Sequence, residues 1–168
     1  MDPLYDEPRE YVTGMPMHII GGVIRALETA GAAMEIVGAA ESPIEEMFGG
    51  ALTAELRRRY TAEEFGIFNP AEPNEHPAGC MMLVAQFELL RFRYDFALRF
   101  RGSPDPFLLI ECDGKQFHSS PEQIANDRRK DECALKHGVH LIRLKGGDIH
   151  YRIEKCVAEV VQFIEEAK

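Results

Sequence analysis

The segment FLLIECD, residues 107–113, constrains this chain more than any other. It is apolar on both faces, which predicts a central strand covered on both sides. Side chains alternate along a strand, so Glu111 and Asp113 point to the same face. Two carboxylates on one face of a buried strand are costly, because neither burial nor a like neighbour favours the charged form. A divalent cation relieves that cost. Hard carboxylate oxygens select Mg²⁺, with Mn²⁺ as a substitute.

The neighbouring segments build a domain around this strand. RFRYDFALRF reads as a strand, and the turn signal RGSPDP between it and FLLIECD predicts an antiparallel hairpin. Folding about that turn sets Asp95 opposite Glu111–Asp113, within a residue of register. MMLVAQFELL is a further strand. Downstream, Ser119 or Ser120 caps a helix with Pro121 at its first position, and Gly138 is placed to stop it. VHLIRL follows as a short buried strand, so FLLIECD, helix and VHLIRL form a candidate parallel crossover. A last helix carries the apolar stripe Ile149, Ile153, Val157, Val160 and Ile164, with Phe163 alongside.

Upstream, HIIGGVIRALETAGAAMEIV reads as a helix weakened by its glycines. A second helix starts at Ser42, with Pro43 first and Glu45 placed for a capping box. Its apolar stripe runs through Ile44, Met47, Phe48, Ala51, Leu52 and Leu56 to the basic run Arg57-Arg58-Arg59. Residues 61–79, rich in Pro, Gly, Asn and Glu, are expected to form a long surface loop. Residues 1–16 are expected to be a polar arm, and 17–168 one mixed α/β domain with its core from about residue 41.

Length and composition exclude several classes. At 168 residues there is room for one substantial core. No apolar run approaches the roughly 20 residues of a membrane span, and the acidic start is wrong for a secretory leader, so a cytoplasmic protein is expected. Cys80, Cys112, Cys133 and Cys156 are scattered, which predicts structural thiols rather than a zinc site or a disulfide framework. The formal net charge of -9 is awkward for a nucleic-acid partner. The positive charge is clustered, however, and a cation site itself concentrates carboxylates.

Gly114 predicts a bend after the acidic strand, bringing Lys115 and His118 toward the acids. A histidine there suits general acid–base work. At this point SPIEEMF, RYDFAL, IECDGKQFH, NDRRKDECALKHG and LIRL together resemble the restriction-endonuclease-like PD-(D/E)XK superfamily. The branch is the one with very-short-patch-repair (mismatch-nicking) endonucleases and small relatives, and the resemblance spans roughly Glu41 to Ile149. It implies a mixed sheet with a central antiparallel hairpin flanked by helices, and metal-dependent cleavage of DNA. It assigns the hairpin metal ligand to Asp95, the next acid to Glu111, the helix acid to Glu45 and the histidine to His118.

Two departures stand out. Tyr94, not proline, precedes Asp95, and Asp113 stands where a lysine is expected two positions after Glu111. The relatives with E-x-D-G share the second replacement. Lys115 could supply the missing charge, and Asp113-Gly114-Lys115 also fits D-x-K, so Asp95 pairs with either Glu111 or Asp113 as metal ligand. The capping box alone accounts for Glu45.

Candidates for DNA contact are Arg57, Arg58 and Arg59, the outward-facing Arg91, Arg93, Arg99 and Arg101, and Arg128, Arg129 and Lys130. Asp127 and Asp131 fit a salt-bridged helix surface. On that helix Ile124, Arg128, Asp131 and Leu135 share a face, which would lean Arg128 and Asp131 toward the site. The rival expectations are a silent nuclease fold that binds nucleic acid and a protein-interaction module. A homodimer or a partner in a larger system is left open.

Overall fold

The computed structural model describes residues 17–36, 39–71, 76–114 and 120–167. In chain order these form α1 (Met17–Ile36), α2 (Pro43–Arg59), β1 (Phe65–Ile67), β2 (Met81–Leu89), β3 (Phe92–Phe100), β4 (Pro106–Asp113), α3 (Pro121–Lys136), β5 (His140–Lys145) and α4 (Gly146–Glu166). The strands make one mixed open sheet in the order β1-β2-β3-β4-β5. The β2–β3 and β3–β4 pairs are antiparallel, while β1–β2 and β4–β5 are parallel. The hairpin and the β4–α3–β5 crossover are therefore both present. The arm expected at residues 1–16 lies outside the described residues.

One expectation is corrected. Residues 61–79 are not all loop, because Phe65–Ile67 pair in parallel with Met81–Leu83. The aromatic Phe65, 3% exposed, joins the core and holds this short strand inside otherwise turn-forming sequence.

Helix packing places the core on the face where α2 and α4 lie. Phe48, Leu52 and Leu56 of α2 meet Phe96 and Leu98 of β3 and Leu108, Ile110 and Cys112 of β4. Val157, Val160, Val161 and Ile164 of α4 complete this cluster, as the helical period requires. Each such side chain stabilises the fold by about 1.5–3 kcal/mol on burial. The opposite face is thinner. Tyr94, Ala97 and Leu109 pack there against Cys133 and Ala134 of α3. That helix starts at Ser120, whose side chain and that of Gln123 cap each other's backbone, and Gly138 ends it with φ +67°.

Close packing fixes the α1–α2 corner against β3. A Cβ added at Gly49 would lie 2.7 Å from Ile36 Cδ1 and 2.9 Å from Phe96 Cζ. All three groups are buried, so little can give way. Gly49→Ala is expected to destabilise the protein by about 1–3 kcal/mol through overpacking. Urea denaturation measures this, and an unchanged midpoint would contradict the packing described.

Candidate metal centre

The site begins where the β3–β4 ladder gives out. Strand pairing runs from Arg99 opposite Pro106 to Phe96 opposite Ile110. Beyond it, the side chain of Asp95 takes over, and its Oδ2 accepts the Cys112 N–H at 2.6 Å. The expected cross-strand meeting of Asp95 with the acidic end of β4 is thus present.

The neighbouring strand is distorted at the same level. Ala85 pairs with Phe96 and Phe87 with Tyr94, while Gln86 makes no pair with Asp95. Gln86 has φ +51°, a left-handed conformation uncommon for a side-chain-bearing residue. Holding it there costs on the order of 1–3 kcal/mol, supplied by the surrounding fold. Its amide donates to Glu45 Oε2 at 2.8 Å. Glu45 is 7% exposed. It also accepts from Ser42 Oγ at 2.7 Å and from the Glu41 N–H at 2.8 Å. The capping box expected at Ser42 is therefore modified: the glutamate accepts the Glu41 N–H and the Ser42 hydroxyl rather than the Ser42 N–H, and it faces the cavity.

Glu45, Asp95, Glu111 and Asp113 line one cavity of about 720 Å³, with Gln123, Asn126, Asp127 and Lys130 of α3 across from the strands. Among the described lining residues Lys130 is the one cation. Its ammonium lies 2.7 Å from Glu111 Oε1, with the two side chains only 16% and 8% exposed. Arg143 of β5, opposite Glu111 in register, donates to Asp113 at 3.0 Å and to Asp131 at 3.0 Å. Gly146 closes the end of β4, since a Cβ there would sit 3.0 Å from the Asp113 carbonyl oxygen.

Burial is the first cause of every shift in this cavity. It pushes the Glu111 carboxyl up to about 7 against the pull of Lys130, with the Asp95 charge adding to the rise. Asp95 is also raised, by burial and by Glu45, although the Cys112 N–H opposes this. Asp113 is raised by burial and by Asp127 against Arg143. Burial and the surrounding acids drive the Cys112 thiol far up, which makes it a core group and not a nucleophile. All four cysteines are free and buried.

Several sequence expectations are corrected. The helix face Ile124–Arg128–Asp131–Leu135 does not turn toward the site, for Ile124 is 58% and Leu135 79% exposed. Lys130 points inward instead, into the acidic cavity, where it pairs with Glu111. Asp127 and Asp131 pair with Arg143 across elements, not within their own helix. Arg57 is held by Glu35, Arg58 by Glu55 with Glu28 nearby, and Arg59 by Glu55 and Glu165. These three lie at the far end of α2 from Glu45, roughly 18–21 Å away at 1.5 Å per residue, and each is paired with an acid on the surface of the chain. Arg99 stacks over Phe68 and donates to the Ser103 carbonyl, rather than facing outward. Arg101 lies at the far end of the hairpin, after β3.

Arg93 pairs with Glu41 at 2.6 Å. It nonetheless lines a second cavity, of about 770 Å³, with Arg91 and Arg129. Asn126 and Lys130 line both cavities, so this basic surface adjoins the acidic one. Arg128 is exposed on α3 and lines neither. Lys115 and His118 fall outside the described residues.

The donor set is chemically right for a hard cation: several buried or half-buried carboxylates around one cavity. In the arrangement seen, each acid is turned to an internal donor, and no three His, Cys, Asp or Glu groups among the described residues converge as a metal cage. Comparison with family models, with curated proteins and with solved structures gives no match. No helix among the described residues is long and apolar enough to cross a membrane.

The raised Glu111 fixes the sign of a pH effect. Between its ordinary value of 4.5 and about 7 the folded chain keeps a proton that the unfolded chain has released. Stability conferred by that proton is present at low pH and is lost as pH rises through about 7. Relative to Glu111→Gln, the cation-free wild type should lose on the order of 2 kcal/mol between pH 5 and pH 8. Urea unfolding of both proteins in chelator measures it, and parallel pH profiles would contradict the account.

Proposed function

We propose that the chain is a metal-dependent endonuclease of the restriction-endonuclease-like PD-(D/E)XK kind, which cuts or nicks DNA by hydrolysing phosphodiester bonds. The observation that carries the reading is the gathering of Asp95, Glu111, Asp113 and Glu45 with Lys130 around one cavity, at the point where two central strands part. Buried structural acids have no need to be collected there. A phosphodiester site does, because it must hold both a cation and a phosphate.

Asp95 with Glu111 or Asp113 would hold one or two Mg²⁺ ions, or Mn²⁺ in their place. When bound, the cation supplies Lewis-acid polarisation of the phosphate and neutralises charge on the leaving oxygen. Lys130 presents an ammonium in the same cavity, placed to stabilise charge that develops on the phosphate as water adds and the leaving oxygen departs. Glu45, held by three donors, keeps its carboxylate fixed at the cavity wall. His118 is the proposed general acid or base, with Lys115 as an additional charge. On the DNA side, Arg91, Arg93 and Arg129 on the adjoining surface are the proposed phosphate contacts, with Arg128 nearby on α3.

A second reading has its own support. Lys130, Arg143 and the Cys112 N–H already satisfy Glu111, Asp113 and Asp95, as in a silent nuclease fold that binds nucleic acid or a protein partner. Cleavage decides between the two. Plasmid and single-stranded DNA should be nicked or cut with Mg²⁺ or Mn²⁺ and not with EDTA. Asp95→Ala should lower the rate at least roughly a hundredfold while the protein stays folded. Metal-dependent cleavage that survives Asp95→Ala would sink the assignment, and binding without turnover would favour the silent module.

A further inference from the structure

Lysine is a poor residue to aim. Its four-carbon stem carries about 2 kcal/mol of rotamer entropy, so a lysine that must present its ammonium at one atom needs help. Lys130 receives that help from Tyr94, a β3 residue with 0% exposure. Two contacts approach the lysine from opposite ends. The Tyr94 hydroxyl donates to the Lys130 backbone carbonyl at 2.9 Å. The Tyr94 ring lies beneath the Lys130 ammonium, 5.3 Å from Nζ to the ring centroid. That distance is within the reach of a cation–π attraction, which is strongest where water is excluded.

The hydroxyl fixes the height of α3 over the sheet. The carbonyl it engages belongs to the middle of a helix, so the bond uses its spare lone pair and anchors the backbone at Lys130. The ring then provides a floor along which the stem runs, and Glu111 ends the path at 2.7 Å. Leu109, Ala97, Cys133 and Ala134 share one buried cluster with the ring. Tyr94 is also joined directly to Asp95, so a single strand segment sets an acid on one side and the lysine on the other.

We propose that Tyr94 is a positioning residue that locks the Lys130 ammonium against Glu111 and thereby fixes the cation of the acidic cavity. The structural part of this stands on geometry alone. Only its kinetic consequence rests on the phosphodiester reading.

Two variants of the full chain test it, Tyr94→Phe and Tyr94→Leu. The first readout is the nuclear magnetic resonance signal of the Lys130 side chain, assigned by its loss in Lys130→Arg. Ring-current shifts report the floor, and the exchange rate of the ammonium protons reports the lock on Glu111. Tyr94→Phe should keep most of the ring shift and speed ammonium exchange. Tyr94→Leu should move the methylene shifts to those of a solvent-exposed lysine. Should the leucine variant fail to fold, the phenylalanine variant decides alone, since it removes one oxygen and keeps the packing. Lys130 signals unchanged in Tyr94→Phe would overturn the proposal.

The second readout is metal-dependent cleavage. Tyr94→Phe should lower kcat roughly fivefold, the effect of one lost hydrogen bond, with KM for DNA unchanged. A raised KM with intact kcat would overturn the positioning role. If the wild type cleaves nothing, the endonuclease reading fails, while the resonance measurement still decides the role of Tyr94.

Discussion

A carboxylate at Glu111, almost sealed inside a five-stranded sheet, is tolerable because the Lys130 ammonium sits 2.7 Å away. Much of the molecule serves that contact. The hairpin brings Asp95 to the end of β4, the β4–α3–β5 crossover brings α3 over the same strand, and Arg143 arrives from β5 in register with Glu111. The pair does not cancel the cost: burial still outweighs Lys130 and raises the Glu111 carboxyl to about 7. Breaking a buried pair by removing one partner is more damaging than never having had it, which ties the placement of α3 to the acids beneath it.

What the sequence made legible follows from periodicity and from turn chemistry. Period-two alternation put Glu111 and Asp113 on one face, and the RGSPDP turn fixed the hairpin register closely enough to bring Asp95 to Cys112. Ser42–Pro43 and Ser120–Pro121 marked two helix starts. Helical spacing gave the buried stripe of α4. These signals are local and strong, and tertiary packing agrees with them.

The rest was hidden for physical reasons. β1 has three residues, too few for any period, and only its pairing with β2 makes it a strand. α3 has so few apolar residues that its pattern selected the wrong face, through Ile124 and Leu135, which are exposed; the residues that turn inward include Lys130, Cys133 and Ala134. Arg143 looked like an ordinary strand residue because its partners come from β4 and α3. Gln86 carries no signal at all, since its left-handed backbone is imposed by the level of the sheet where Asp95 leaves the ladder. Tyr94 contacts Lys130 through its hydroxyl and its ring, and Lys130 pairs with Glu111 on the strand that also carries Asp113.

The net charge of -9 is consistent with this economy. Arg57, Arg58, Arg59, Arg93, Arg143 and Lys130 are all paired with acids within the chain, so the proposed attraction for phosphate is local, around Arg91, Arg93 and Arg129, and screened beyond about 10 Å at 0.1 M salt. The claim on which the account turns is that the acidic cavity takes up a divalent cation. Isothermal titration of Mn²⁺ into chelator-stripped wild type and Asp95→Asn tests it directly. The account predicts saturable binding of one or two ions to the wild type, weakened at least roughly tenfold by the loss of one charged ligand. No binding, or binding indifferent to Asp95→Asn, would contradict it.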